Sequence, residues 1–369
     1  MRLLKKIASA KIFFYCSIWL IVLLVIGTIV QKDIGLYRSQ QIYFSSWFLN
    51  YEFFYLPGGR LTMTVMFMNL VSKILLSKLL SSKMLGINVT HIGVLLLLGG
   101  GFLTAYYSVE GSMSIPEGGK SNIYKDYHKI QLSLVDESHK DADHVTAFNQ
   151  HMLQIGKILK DESFKGQLKI LDYARNVQAV RRTQKDQNEK LKGMSKNFKF
   201  KAAPLSKEDE RNQAGLMFEL SGVSEEQDGI YTIFQDMSVH QHIQLNGKPW
   251  RVELTNKEYF LPFEVELVDF VKEIHPGTSM ARSYHSDVIV HDGGAQRKTR
   301  IQMNEPLRLY NHTFFQSSFF QDEQSETTVL AVVKNFGRMF PYISSIIICI
   351  GLMIHLLIQL PALISRKAK

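Results

Sequence analysis

Residues 340–364, FPYISSIIICIGLMIHLLIQLPALI, run for 25 positions without a formal charge, and no other feature narrows the possible folds as far. Crossing ~30 Å of hydrocarbon takes ~20 apolar residues at ~1.5 Å each. IFFYCSIWLIVLLVIGTIV (12–30), with 19 residues, and the uncharged stretch 84–107 reach the same length. A weaker segment, LTMTVMFMNLVSKILLSKLL (61–80), is interrupted by Lys73 and Lys78, whose long stems let the ammonium groups snorkel to the interface. The expected fold is a membrane protein with four transmembrane helices, three N-terminal and one C-terminal. A large domain, residues 108–338, is inserted between the third and the fourth. The first segment is expected to be a retained anchor, because its apolar run exceeds the ~7–15 residues of a signal-peptide core and no A-x-A-like site follows.

Charge bias orients these spans. Arg2, Lys5, Lys6, Lys11, Lys73, Lys78, Lys83, Arg366, Lys367 and Lys369 fall in the N-terminus, the 73–83 loop and the C-terminus, and those segments hold no acid. By the positive-inside rule both termini are expected in the cytoplasm and 108–338 outside. The net charge of +9 divides into −2 for residues 108–338 and +11 for the rest. The basicity is therefore a topology signal with a pull on anionic lipid heads, not the footprint of a nucleic-acid partner. Cys16 and Cys349 both lie in expected spans. The inserted domain has neither a disulfide framework nor a C-x-x-C site, which excludes a thiol-exchange enzyme. The two cysteines read as packing residues.

The first membrane region, 1–107, carries an outer loop, 31–60, rich in aromatics (YFSSWFLNYEFFYLPGGR). It suits a short helix on the outer leaflet, or equally a loop packed on the inserted domain. That domain reads as mainly β: KIQLSLV (129–135), GLMFELSGV (215–223), PFEVELVDFV (262–271) and SDVIVHD (286–292) alternate with period 2. HIQLNGKPWRVEL (242–254) predicts a hairpin turning at Asn246-Gly247. The best helical pattern is 143–159, DHVTAFNQHMLQIGKIL, and the polar stretch 175–213 reads as a long loop or mobile insertion. Residues 339–369 supply the fourth span and a basic tail.

A histidine inside a span is a functional suspect, since a titratable ring in hydrocarbon costs free energy. His91 stands eight residues after Lys83, ~12 Å deep by helical rise, and His355 eleven before Arg366, ~16 Å deep. This puts both in the inner half of the bilayer at similar depth. Neutral imidazole is a common haem-iron ligand, and a flat porphyrin suits a cleft between spans. Alternatively each ring hydrogen-bonds a neighbouring helix, through Asn88 or Thr90. Gly99-Gly100-Gly101 lacks the ending of a nucleotide loop, so it serves close helix packing or backbone approach to a bulky ligand. His240 and His242 share one side of an expected strand, half of a metal site, but no partner stands at a recognisable spacing and they read as surface. No G-x-S-x-G, H-E-x-x-H or P-loop occurs, so nothing marks a hydrolase or nucleotide enzyme.

Several stretches, taken in order, resemble the ResB/CcsB family of system II cytochrome c biogenesis. They are GTIVQ (27–31), LPGGR (56–60), THIGVLLLLGGG (90–101), EGSMSIPEGG (110–119), LPFEVELVDF (261–270), SYHSDVIVHDGG (283–294), NEPLRLYNHTFFQSSF (304–319) and LAVVKNFGRMFPYIS (330–344). The likeness runs nearly end to end but is poor over 140–260. It implies a subunit, non-catalytic alone, of a holocytochrome c synthase (haem lyase) complex in the bacterial cytoplasmic membrane. The resemblance also implies a multi-span CcsA-type partner, with which the chain exports haem b and attaches it to the CxxCH thiols of apocytochrome c. A thioredoxin-like reductant would keep those thiols reduced. The family's third-span haem ligand matches His91, whereas His355 has no firm family counterpart and is kept as an alternative ligand. Trp19, Trp47 and Trp250 are isolated, so the tryptophan-rich haem-handling segment is expected on the partner. The rival readings are a membrane scaffold whose exported domain docks assembly partners, with His91 structural, and a membrane-anchored sensor, for which the chain offers no cytoplasmic output domain.

Overall fold

A computed structural model describes residues 2–76, 84–138, 144–183, 186, 188–278, 281–321 and 326–367. Lys78, Lys83, His139 and Lys369 lie outside the described residues. The chain divides into two units, Met1–Val109 with Arg308–His312 and Val333–Lys369, and Glu110–Leu307 with Thr313–Val332.

Among the described residues the first unit holds four helices long and apolar enough to cross a membrane: Ala10–Ile34, Gly59–Leu76, Leu85–Tyr107 and Phe340–Leu360. The chain is a multi-pass membrane protein, and the expected three-plus-one order of spans holds. Phe14, Ile21, Val25, Ile346 and Met353 point outward, as side chains facing hydrocarbon do, because lipid tails give no reason to hide them. Cys16 is half-buried and Cys349 exposed, so Cys349 is not the packing residue the sequence suggested.

The aromatic loop forms a short helix, Leu36–Ser39, continuing as a five-residue π-helical turn, Gln40–Phe44, and a hairpin, Phe48–Tyr51 with Phe54–Pro57. It folds onto the first span: Leu23, Tyr43 and Leu49 form a buried cluster with Trp19, Phe44 and Leu56 against it. Trp19 Nε1 donates to the Pro57 carbonyl at 2.7 Å. The LPGGR corner needs its glycines, since a Cβ on Gly58 would lie 2.4 Å from the Ser46 carbonyl oxygen and one on Gly59 2.8 Å from Phe44 Cα. Arg60 lies over the rings of Tyr106 (4.9 Å) and Trp47 (6.0 Å), a cation–π pairing that fastens the loop to the third span.

The second unit is β-rich. Strands run in the order Ala295–Gln302, Ala281–Asp292, Lys248–Ile274, Lys120–Asp136, Val109–Pro116, Glu326–Lys334 and His312–Gln321. A smaller sheet runs Gly229–Phe234, Gly215–Ser221, Gln167–Ala174, Ile158–Leu159. Leu132, Leu134, Leu168, Phe218, Val252 and Leu254, all almost fully buried, share one core cluster drawn from both sheets. KIQLSLV, PFEVELVDFV and SDVIVHD lie wholly in strands, as expected, and GLMFELSGV does so through Ser221. Leu245 pairs with Lys248, and Asn246 and Gly247 take φ of 53° and 73°, the tight hairpin turn the sequence predicts.

Two expectations fail here. Residues 144–159, the described part of the expected helix 143–159, are not helical: His144–Asn149 is a strand paired with Gln131–Asp136, followed by a 3-10 turn and a second short strand, Ile158–Leu159. Phe148, Leu153 and Leu159 are buried in this arrangement, so pairing with a core strand overrides the helical spacing of the apolar residues. The 175–213 stretch is also more than a loop. Val177–Arg181 pairs with Phe198–Ala202, and Leu191, Ser195, Asp209 and Asn212 are buried.

Candidate functional site

The third and fourth spans pack antiparallel along a seam of small residues. Gly86, Gly93 and Gly100 recur every seven positions and so return to one helix face. A Cβ on Gly86 would lie 2.4 Å from the His355 backbone nitrogen, one on Gly93 2.7 Å from Ile348 Cγ1, and one on Gly100 2.2 Å from Phe340 Cβ. Reciprocally, a Cβ on Gly351 would meet the Thr90 nitrogen at 2.5 Å. Gly99 and Gly101 have open space around their Cβ positions. Of the triple glycine, then, Gly100 alone serves this packing.

His355 sits in the seam, at the level of Gly86. Its Nδ1 is buried without a hydrogen-bond partner among the described residues. His91 lies five residues further along the third span, ~7.5 Å by helical rise, and at ~100° per residue it points about 140° away from the Gly86 face. The expectation of similar depth is therefore not met: the His355 backbone abuts Gly86, more than a turn from His91. By helical geometry the two residues therefore stand at different faces of the third span.

His91 shares its side of the helix with Asn88, which is 2% exposed. Thr90 Oγ1 donates to the Gly86 carbonyl of its own helix at 3.0 Å, so it is not a partner for His91. Among the described residues the half-buried His91 ring makes no hydrogen bond. An imidazole nitrogen on a helix face turned away from the seam could hold a haem iron. No three His, Cys, Asp or Glu side chains among the described residues converge to hold a metal ion of their own.

In the β-rich unit, His240 Nδ1 meets Glu253 Oε1 at 3.1 Å and His242 Nε2 meets Glu137 Oε2 at 3.4 Å. Arg251 pairs with both carboxylates. The two histidines thus face separate acids instead of forming a shared half-site. A second cluster escaped the sequence reading. Asp209, 5% exposed, takes Arg175 Nη2 at 2.5 Å and His128 Nδ1 at 2.7 Å. Burial works to raise the Asp209 pKa, and the His128 hydrogen bond and the Arg175 charge outweigh it, leaving the carboxyl below its usual range. Nothing in local sequence announces this cluster, because its members are 34 and 81 residues apart.

Residues 228–327, from strand Gly229–Phe234 to the start of Glu326–Lys334, match the model of the ResB-like family. No curated protein matches the chain.

Proposed function

We propose that this chain, whose residues 228–327 match the ResB-like family, serves cytochrome c biogenesis and takes up haem b within the membrane through His91. It acts with a CcsA-type multi-span partner that supplies the second axial ligand, and the pair passes haem outward for attachment to the CxxCH thiols of apocytochrome c. The chain is non-catalytic alone. The observation that carries this reading is the His91 ring: inside a span, without a hydrogen-bond partner among the described residues, and turned away from the seam with the fourth span. A purely structural histidine at that depth would be expected to hydrogen-bond a neighbour, since an unpaired polar group in hydrocarbon is costly. His355 is the alternative ligand: its Nδ1 too is buried without a hydrogen-bond partner among the described residues, and its backbone lies against Gly86 in the packing seam. The β-rich unit docks apocytochrome c or the thioredoxin-like reductant and is haem-free.

The reading places the protein in the bacterial cytoplasmic membrane, with both termini inside and the β-rich unit outside. Alkaline phosphatase fused near residue 200 should be active and the same enzyme fused after residue 367 inactive; the reverse pattern would sink the haem route. In cells dependent on this chain, His91→Ala should accumulate normally in the membrane, because alanine is the better helix former. Covalent haem staining of c-type cytochromes should fall to a small fraction of wild type. Undiminished staining would leave the scaffold reading in its place.

A further inference from the structure

The β-rich unit contains a cavity of about 410 Å³ whose wall includes Met194, Met237 and His240. Met194 and Met237 also line a second cavity of about 440 Å³. We propose that Met194, Met237 and His240 form a binding site for a monovalent soft metal ion, Cu(I).

Three features argue for a built site. The first is the orientation of His240. Its Nδ1 is held by Glu253 Oε1 at 3.1 Å, and Glu253 is itself fixed by Arg251. A carboxylate on one ring nitrogen is the usual outer support of a metal-binding histidine, fixing its tautomer and raising the basicity of the other nitrogen. Nε2 has no partner among the described residues.

The second feature is the loop that carries two of the donors. Met237 and His240 are three residues apart, just after Asp236, whose φ of 50° is unfavourable for a side chain with a Cβ. This turn is held by its surroundings: the Asp236 amide donates to the Leu254 carbonyl at 3.0 Å, and Gln235 Nε2 reaches Asp236 Oδ2 at 3.3 Å. Backbone strain of this kind persists where packing over-determines it, and it recurs at binding sites.

The third feature brings in the distant methionine. The Met194 amide donates to Gln241 Oε1 at 3.1 Å, fastening it to the residue next to His240. That approach requires Gly193, where an added Cβ would lie 2.0 Å from the same oxygen. The insertion that looked like a mobile loop thus delivers a thioether beside the His240 loop.

The donor set selects the ion. Thioethers are neutral, soft ligands that favour Cu(I), whereas zinc calls for thiolate, imidazole or carboxylate in greater number. No such triad of His, Cys, Asp or Glu exists among the described residues. Arg251 is neutralised by Glu137 and Glu253, so it sets up no net repulsion against a cation in the cavity.

The test uses the full-length chain purified in detergent and titrated anaerobically with Cu(I) against bathocuproine disulfonate. Wild type should withhold one Cu(I) per chain. Met194→Leu and Met237→Leu, which keep the packing volume, and His240→Gln should each weaken retention at least tenfold. The triple variant should withhold none at the same chelator concentration, with an unchanged melting temperature. X-ray absorption of the loaded wild type should show sulfur and nitrogen scatterers. Equal retention by wild type and triple variant, or a coordination sphere without sulfur, overturns the proposal. The outcome is independent of the haem reading, since His91→Ala should bind Cu(I) like wild type.

Discussion

Gly86→Leu is expected to remove most of the protein from the membrane, while Gly99→Leu leaves its level unchanged. The two substitutions add the same side chain to the same helix. At Gly86 the new Cβ would fall 2.4 Å from a backbone nitrogen and 2.6 Å from Cα of His355, atoms that no rotamer change can move aside. The third and fourth spans would have to separate, giving up close contact along the whole seam. Overpacking of this kind costs about 1–3 kcal/mol where side chains can adjust, and more where backbone opposes backbone. Close approach is also what drives association here, because lipid supplies no hydrophobic force between helices. At Gly99 an added Cβ meets nothing within 4 Å. Membrane levels measured by immunoblot decide it; equal levels of the two variants would contradict the seam.

Asp209→Ala is expected to lower the melting temperature of the β-rich unit by about 6–12 °C. Removing one partner from a buried ion pair costs about 3 kcal/mol, because the remaining charge loses its compensation. A unit of this size shifts by about 2–4 °C for each kcal/mol. The same carboxylate gives an acid dependence with a definite sign. Its folded pKa lies below the unfolded value of ~3.9. The stabilisation is therefore fully present above that value and is lost as pH falls through the lower folded pKa. Thermal melts from pH 7 to well below pH ~3.9 should show a difference between wild type and Asp209→Ala that holds above that value and shrinks only below it. A difference that stays constant as the carboxyl is fully protonated would mean that Asp209 acts by packing and not by charge.

How much of this was legible depended on whether the signal was local. The spans were, because uninterrupted apolar length is a property of neighbouring residues, and so was the Asn246-Gly247 turn, set by two adjacent residues that tolerate positive φ. The pattern of 143–159 misled because Phe148, Met152 and Leu159 suit one face of a helix. The neighbour that overrules it, Gln131–Asp136, must be paired before its influence appears. The seven-residue spacing of Gly86, Gly93 and Gly100 was visible in principle, but the Gly99–Gly101 triplet drew the eye to the wrong repeat. His91 stood out through the cost of a polar ring in hydrocarbon. Its face of the helix could not be assigned until the seam with the fourth span was known. Arg60 over Tyr106, and Met194 beside His240, join residues 46 apart or more, and no spacing rule reaches that far.

The central claim is that His91 carries haem, and haem retained on purification tests it most directly. Wild-type protein isolated with its multi-span partner should be coloured, with an absorption spectrum of six-coordinate haem. His91→Ala should lose most of that haem while keeping its yield, and should regain part of it when imidazole is added, because the site then lacks only that nitrogen donor. His355→Ala should retain more haem than His91→Ala. A His91→Ala complex with wild-type haem content and spectrum would contradict the account.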